Sequence, residues 1–231
     1  TEMAVDVHLP ERHGIYQSVG DTVGPGGIIR ALRTIPMYQE IAKAIEQNAP
    51  DAWVFNYTNP MTICTRTLYK QFPKIKAFGC CHEVFGTQKL LAHAAEDAGL
   101  APKGSIKRDE IRTNVAGINH FTWIDKASWR DTDLFPVWEK FVQKYAESGY
   151  DDGGDNSWLN NYFASADRVK MDLFKRFGLI AAAGDRHLAE FCPPSWYLSS
   201  PEQVKEWKFT LTPVSFRINM REDLKKKSLA L

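Results

Sequence analysis

The fold is decided by residues 52–83, which read AWVFNYTNPMTICTRTLYKQFPKIKAFGCCHE. Two short apolar runs, at residues 52–57 and 75–81, are each followed by a segment of helical character, at about residues 61–71 and 84–98. We predict the first run to be a buried strand that ends in a loop at Asn59-Pro60. Strands that alternate with helices over short connections are typical of a parallel, doubly wound sheet.

Upstream of this stretch, apolar residues recur at three- and four-residue steps over residues 27–48, which predicts a helix. Pro36 lies inside it and is expected to kink or split it. The first residues of the chain are expected to form a loop that leaves a strand. We therefore expect the sequence to start inside a domain and not at the domain's own beginning.

Downstream of Pro102 the pattern changes to strands at residues 111–118 and 121–124. Residues 146–161 are rich in glycine, aspartate and asparagine and are predicted to form a mobile loop. A helix ended by Gly178 and a strand then follow, at residues 169–177 and 179–183. Residues 224–231 have the pattern of a helix that is cut short.

The predicted fold class is therefore α/β, in two parts. Residues 1–108 are interpreted as the latter part of a Rossmann-like, doubly wound domain, and residues 109–231 as the beginning of a second α/β (α+β) domain for substrate and metal. We expect the chain to be a fragment of something longer.

Composition excludes several classes of function. Of the 231 residues, 44% are hydrophobic and 25% charged, which is typical of a globular protein. A net charge of +1 gives no reason to expect nucleic acid or an anionic membrane as a partner. No apolar run reaches the roughly 18 residues of a membrane span, and the N-terminus lacks the features of a signal peptide. The four cysteines do not form a disulfide pattern, so we expect reduced thiols and a cytoplasmic protein.

Four polar clusters are expected to face one cleft, because ligands of open parallel sheets bind beyond the carboxyl ends of the strands. The clusters are residues 56–60, 81–83, 119–120 and 184–187. Pro60 holds Asn59 in an extended conformation, and its amide suits sugar hydroxyls or a carboxamide, although turn asparagines are common.

Cys81 and His120 offer a thiolate and an imidazole, which suit a transition-metal ion, whereas a buried cysteine and a satisfied histidine are the alternative. Asp185, Arg186 and His187 follow an apolar strand and are suited to binding an acidic sugar and supplying a base. A surface turn with an ion pair is the alternative for that cluster.

Five segments, taken together, resemble glycoside hydrolase family 4, the NAD- and metal-dependent glycosidases. They occur in the family's order, as GDTVGPGG at residues 20–27, RALRTIP at 30–36, NYTNPM at 56–61, GCCH at 79–82 and AGINHF at 116–121. The similarity is dense over residues 1–125 and looser over residues 160–215.

The resemblance implies that Cys81 and His120 bind the catalytic metal, Mn²⁺ being the expected ion. It implies that Asn59 contacts the substrate near the nicotinamide of NAD, with Asn56 as a second cofactor contact and Asn119 as a substrate contact. The family's glycine-rich NAD fingerprint would lie upstream of residue 1.

His82 stands where the family's phosphoglycosidases have an acidic aspartate, as in the α-galactosidase and α-galacturonidase branches. Residues 184–191 most resemble the α-galacturonidase branch, where Arg186 would meet a uronate carboxylate. His82, Asp185 and His187 are therefore the candidate catalytic residues, and the choice of base between Asp185 and His187 stays open.

The implied reaction is hydrolysis of α-galacturonides or α-galactosides by a redox route, outside the two-carboxylate scheme of most glycosidases. A sugar hydroxyl is oxidised, a side-chain base removes the neighbouring proton, the aglycone is eliminated, and water addition and reduction complete the cycle. An NAD-dependent hydroxy-acid or sugar-acid dehydrogenase and a non-enzymatic binding module are the alternatives. A homo-oligomer, dimer or tetramer, is expected.

Overall fold

A computed structural model describes residues 2–153 and 157–229 of the chain. Its first half alternates helices and strands in the predicted way, and the fold class is α/β. The elements are α1 (Glu2–Glu11), α2 (Gly24–Asn48), β1 (Trp53–Asn56), α3 (Met61–Gln71), β2 (Lys76–Gly79) and α4 (Glu83–Asp97). Strands β1 and β2 are parallel, with Asn56 opposite Gly79 at their carboxyl ends.

The predicted loop at the start of the chain is wrong, because residues 2–11 form helix α1. This helix packs on α2, and its one fully buried apolar side chain, Val7, lies beneath Gly20. Asp6 accepts hydrogen bonds from Arg33 of α2, which ties the two helices together. The sequence of α1 has almost no helical periodicity of apolar residues, so the pattern gave no signal for it.

Helix α2 is not split at Pro36, although a split was one of the two predicted outcomes. A proline removes a single backbone donor, and the remaining helical bonds continue on both sides of it. The buried Ala31 and Ala42, on either side of Pro36, anchor both parts of the helix.

Strand β1 is not buried, contrary to the prediction from its apolar composition. Val54 and Ala77 pack against α2 and α3, on one face of the two-stranded sheet. Trp53 and Phe55 point to the other face, where they are 65% and 56% exposed and contact Phe78 edge to face. An apolar run does not distinguish a strand covered on both faces from one covered on a single face.

The second half of the chain is built around an antiparallel sheet. Its elements are β3 (Ile111–Ile118), β4 (Phe121–Trp129), β5 (Thr132–Asp133), α5 (Phe135–Tyr145), α6 (Arg168–Phe177), β6 (Ile180–Ala181), α7 (Asp185–Phe191), α8 (Pro194–Tyr197), α9 (Pro201–Glu206) and α10 (Val214–Leu229), with a short 3₁₀ turn at Arg108–Glu110 before β3. Strands β3, β5 and β6 all pair with β4.

Two loop and end predictions fall partly outside the described residues. Residues 146–153 and 157–161 contain no helix or strand, and residues 154–156 of the same predicted loop lie outside the described part. Helix α10 reaches Leu229, and residues 230–231 are likewise outside it. Within the described ranges, no helix has the length and apolar character needed to cross a membrane.

The main core joins the two halves and fixes the position of the polar clusters. Leu91 of α4 packs with Ile111, Ile124 and Trp138 of the second half, and all four side chains are essentially inaccessible. The oxygen of Thr87 donates to the carbonyl of Ala182, just after β6. The start of α4, with Cys81 and His82 just before it, therefore lies beside the junction of β6 and α7.

Candidate active site

A cavity of about 620 Å³ opens where the ends of β1 and β2 meet the β3–β4 turn and the start of α7. Asn59, Cys81, His120 and His187, one from each predicted polar cluster, all line it. The expectation that the four clusters face one cleft is confirmed. The cavity is also lined by residues of the loop after α1 and of α10, which the sequence did not single out.

Three side chains in this cavity lie close enough to share one metal ion. The ligand atoms of Asp21, His120 and His187 are all within 4.8 Å of one another. Asp21 was not among the predicted site residues, although it lies inside the motif GDTVGPGG at residues 20–27. Its carboxylate accepts from Thr22 Oγ1 at 2.7 Å and from Asn59 Nδ2 at 3.2 Å, which fixes its orientation.

His120 and His187 lie face to face, with ring centroids 3.8 Å apart and planes 19° apart. The pKa of His120 is lowered to about 4, mainly by burial and in part by the neighbouring His187. Burial also lowers the pKa of His187. Both rings are therefore neutral at neutral pH, and each has a lone pair available for an ion or a proton.

Two buried polar atoms in the site have no partner among the described residues. They are Nδ1 of His187 and Oδ1 of Asn119. Buried polar atoms are normally satisfied, so unpaired ones beside a cavity indicate a partner that the chain itself does not supply. Oxygen and imidazole donors of this kind fit a divalent transition-metal ion or its bound water.

Cys81 lies just before α4 and lines the cavity. Burial raises the pKa of the Cys81 thiol, and polar groups of Glu83, Asn119 and His82 oppose the rise. A cation beside the sulfur would favour the thiolate. Cys81 and His120 line the same cavity, although Cys81 is not part of the 4.8 Å group of described donors.

Glu83 joins α4 to the start of α7; it belongs to the predicted polar cluster at residues 81–83, but no role was predicted for it. Its Oε2 accepts from the backbone N–H of Gly184 at 2.9 Å, and its Oε1 lies 3.7 Å from Nε2 of His187. Burial raises the pKa of Glu83, but His187 and the Gly184 N–H together outweigh this, so the pKa lies below its usual value. His82 lies on the outer side, 3.8 Å from Glu83 and with its side chain 85% exposed.

The position of Asp185 does not favour its predicted role as a base. Its carboxylate is completely buried and accepts from the backbone N–H groups of Val169 and Lys170, both at 3.0 Å. Each oxygen is thus used to hold the first turn of α6. Burial raises the pKa of Asp185, and the nearby Lys170 opposes the rise.

Arg186 was expected to bind a uronate carboxylate, but its guanidinium is bound within the protein. It donates to the carbonyl of Thr210 at 3.0 Å, and to the carbonyl of Ser18 and Oγ1 of Thr212 at 2.6 Å each. Those two nitrogens are therefore not available to a ligand. Arg186 instead holds the loop that precedes Asp21.

Glu190, one turn further along α7, supports the same loop. Its Oε1 accepts from the backbone N–H groups of Val19 at 2.7 Å and Gly20 at 2.8 Å. Burial raises the pKa of Glu190 to about 7. Nothing in the sequence pattern pairs residue 190 with residues 19 and 20, because the contact depends on the fold.

The two asparagines of the first cluster have different surroundings. Asn56 is buried, and its amide is bonded within the protein. Its Oδ1 accepts from Tyr38 of α2 and from the backbone of Thr58, and its Nδ2 donates to Thr65 of α3. The amide of Asn56 thus holds α2 and α3 to the end of β1, and its contact with the cofactor stays a prediction. Asn59 lines the cavity and contacts Asp21, where a ligand would meet it.

Comparison with known proteins covers almost the whole chain. The model described as family 4 glycosyl hydrolase matches residues 1–96, and the model of that family's C-terminal domain matches residues 115–230.

Curated relatives support the same family. The chain is 64% identical to an α-galacturonidase of Thermoanaerobacterium saccharolyticum over 98% of its own length and 48% of the relative's. It is 59% identical to an α-galacturonidase of Bacillus subtilis over 98% and 49% of the two lengths. Identity to an α-galactosidase of Bacillus subtilis is 32%, over 90% and 42%. The chain thus spans about half the length of the curated relatives it matches.

Solved structures have the same fold. A crystal structure of a Bacillus subtilis protein named as a glucosidase superimposes with a TM-score of 0.91 at 57% identity, covering 100% of this chain and 51% of the other. A 6-phospho-α-glucosidase from gut microorganisms, in complex with NAD and Mn²⁺, gives a TM-score of 0.64 at 21% identity, covering 87% and 43%.

Proposed function

The chain belongs to glycosyl hydrolase family 4, and on this premise we propose that the complete protein is an α-galacturonidase that uses NAD and Mn²⁺. The α-galacturonidases among its relatives are 56–64% identical to it, against 32% for an α-galactosidase, which supports the uronide as substrate. One observation carries the proposal: thiol, imidazole and carboxylate side chains from distant parts of the chain converge on one cavity.

Cys81 and His120 are the residues that would hold the ion, with Asp21 as a third donor. Thiolate, neutral imidazole and carboxylate together suit a divalent transition metal. The unpaired Oδ1 of Asn119 is proposed to accept a hydrogen bond from a sugar hydroxyl. When bound, Mn²⁺ supplies Lewis-acid polarisation of sugar oxygens, and NAD supplies reversible oxidation of a sugar hydroxyl. Asn59 is proposed to meet the substrate near the nicotinamide.

His187 is proposed as the base that accepts the sugar proton. His187 lines the cavity, and its Nε2 lies 3.7 Å from the Glu83 carboxylate. When the ring takes a proton, Glu83 stabilises the charged form, and the Gly184 N–H holds Glu83 in place. Asp185, with both oxygens bound to α6, is the weaker of the two candidates.

His82 is proposed as the acid that protonates the leaving aglycone. It lies at the start of α4, directly after Cys81, and it lines the cavity while most of its side chain is exposed to solvent. A side chain in this position can exchange protons with water and still reach a group at the cavity opening. Its proximity to Glu83 orients the ring.

The proposal is tested with the complete protein, NAD⁺ and Mn²⁺ on 4-nitrophenyl α-D-galacturonide. We expect release of nitrophenol that EDTA abolishes and Mn²⁺ restores, with no accumulation of NADH, because the hydride returns to the sugar. A dehydrogenase on the same scaffold would instead form one NADH per substrate consumed. Cleavage that is insensitive to EDTA, or stoichiometric NADH, would contradict the proposal.

Two further expectations about the complete protein stay predictions. All four cysteines are free, as expected for a protein of a reducing compartment such as the cytoplasm. A carbohydrate is the only partner that the cavity itself suggests, and the dimer or tetramer remains to be measured by light scattering.

A further inference from the structure

Arg217, on the first turn of α10, is an unpaired cation at the wall of the cavity. Its Nε is buried and has no hydrogen-bond partner, and no carboxylate among the described residues forms an ion pair with it. A buried guanidinium nitrogen without an acceptor is costly, so a partner from outside the chain is indicated.

The carboxylates nearby are already occupied. Asp21 is held by Thr22 and Asn59, Glu83 by the Gly184 N–H, and Glu190 by the backbone of residues 19–20. None of them is within ion-pair distance of Arg217.

The position of Arg217 also places two cations close together. The guanidinium carbons of Arg186 and Arg217 lie 5.3 Å and 5.1 Å from the centre of the same Phe163 ring. Burial lowers the pKa of Arg186 to about 10, and repulsion from Arg217 contributes in the same direction. An anion bound between the cavity and this ring would relieve that repulsion.

We propose that Arg217 binds the carboxylate of the uronic acid and so selects galacturonides over galactosides. This inference rests on the proposed function and moves the carboxylate contact from Arg186, whose Nε and Nη2 are held by Ser18, Thr210 and Thr212. A guanidinium can meet a carboxylate with two parallel hydrogen bonds, which a neutral hydroxymethyl group cannot replace.

Arg30 is the third arginine that lines the cavity, beside Arg186 and Arg217, and it is a weaker candidate. Its Nε donates to the carbonyl of Asn59 at 3.1 Å, so its orientation is explained by the loop that it supports. Arg217 has no such bond. The two residues can be compared directly in the same experiment.

The test measures binding of D-galacturonate and D-galactose to the complete protein by calorimetry, together with cleavage of the two 4-nitrophenyl α-glycosides. We expect Arg217→Gln to weaken galacturonate binding by about 10- to 100-fold, since hydrogen bonds to charged groups are of that strength, and to leave galactose binding unchanged. Arg217→Lys, which keeps the charge, should recover part of the loss. Arg221→Gln, an exposed arginine one turn further along α10, is the matched control and should bind like the wild type.

Three results would overturn the inference: no galacturonate binding by the wild-type protein, wild-type binding by Arg217→Gln, or an equal loss for both sugars. Loss of discrimination in Arg30→Gln but not in Arg217→Gln would also overturn it. Binding is measured separately from turnover. Absence of galacturonide cleavage with selective galacturonate binding intact would therefore contradict the proposed function and leave the carboxylate subsite supported.

Discussion

The ring of His187 stacks on the ring of His120 at 3.8 Å while its Nε2 faces the Glu83 carboxylate at 3.7 Å. His187 thus lies between a proposed metal ligand, His120, and the carboxylate of Glu83. This places the proposed proton acceptor directly beside the proposed ion.

Replacement of His187 by glutamine is expected to lower kcat by about 10²- to 10⁴-fold, the usual contribution of a positioned base. The measurement is steady-state cleavage of an α-galacturonide by the complete protein with NAD⁺ and Mn²⁺. His13→Gln, at an exposed position of the turn after α1, is the control and should be fully active. If His187→Gln retains wild-type kcat, the base lies elsewhere.

Cys81→Ser is expected to weaken Mn²⁺ binding by at least about tenfold, because a thiolate ligand is replaced by a neutral hydroxyl. Cys80→Ser is a close control, since Cys80 is the adjacent residue and lines the same cavity. Electron paramagnetic resonance of free Mn²⁺ gives both affinities. Equal affinities for the two variants would remove Cys81 from the ligand set.

Glu190 makes the stability of the protein depend on pH. Its folded-state pKa of about 7 lies above its ordinary value, so the folded protein binds this proton more tightly than the unfolded chain. The stabilisation of the folded protein by the protonated Glu190 carboxyl is therefore fully present below about pH 4.5 and is lost as the pH rises through about 7. Glu190→Gln keeps an oxygen acceptor for Val19 and Gly20 and cannot ionise, so it should remove this dependence.

Urea unfolding between pH 5 and pH 8 measures that effect. At pH 8 we expect Glu190→Gln to be more stable than the wild type by about 1 to 3 kcal/mol, and at pH 5 nearly equal to it. Glu40→Gln, at an exposed position of α2, should run parallel to the wild type. If the free energy of unfolding of Glu190→Gln changes with pH in parallel with that of the wild type, the pKa of the Glu190 carboxyl is not raised.

Lys170 is predicted to stabilise the folded protein through its buried ammonium group. Its Nζ is buried and donates to Thr87 at 2.7 Å, to the carbonyl of Ala181 at 2.9 Å and to that of Ala183. Lys170→Met leaves these acceptors and the buried Asp185 without a cation, which should cost about 3 to 5 kcal/mol of unfolding free energy.

Denaturant unfolding of Lys170→Met is compared with that of Lys175→Met on the same helix. The Lys175 side chain is 54% exposed and meets Glu147 at 3.7 Å, so its loss should cost less than about 1 kcal/mol. Similar losses for the two variants would mean that the buried hydrogen bonds of Lys170 contribute little.

Many of the helices and strands could be predicted from the sequence because their signals are local. The predicted helix at residues 61–71 and the predicted strand at 111–118 have the same bounds in the structure, where periodicity and flanking turns agree. Asn59, Cys81 and His120 lie where parallel strands and a hairpin end, so their convergence on one cavity follows from topology.

The rest could not be predicted because it depends on contacts between distant residues. The donors of Arg186 are used by Ser18, 168 positions away, and the oxygen of Glu190 is used by Val19, 171 positions away. Aspartate is a common catalytic residue type, yet the partners of Asp185 are N–H groups in the first turn of α6. Sequence spacing gives the residue types of a site, and the fold decides which of them are free.

The most direct test is an anomalous difference map from crystals of the complete protein soaked with Mn²⁺ and measured near the manganese absorption edge. We predict one strong peak within bonding distance of both the Cys81 sulfur and a His120 ring nitrogen, close to Asp21. A well-ordered cavity with no peak, or a peak bound to His120 without Cys81, would contradict it.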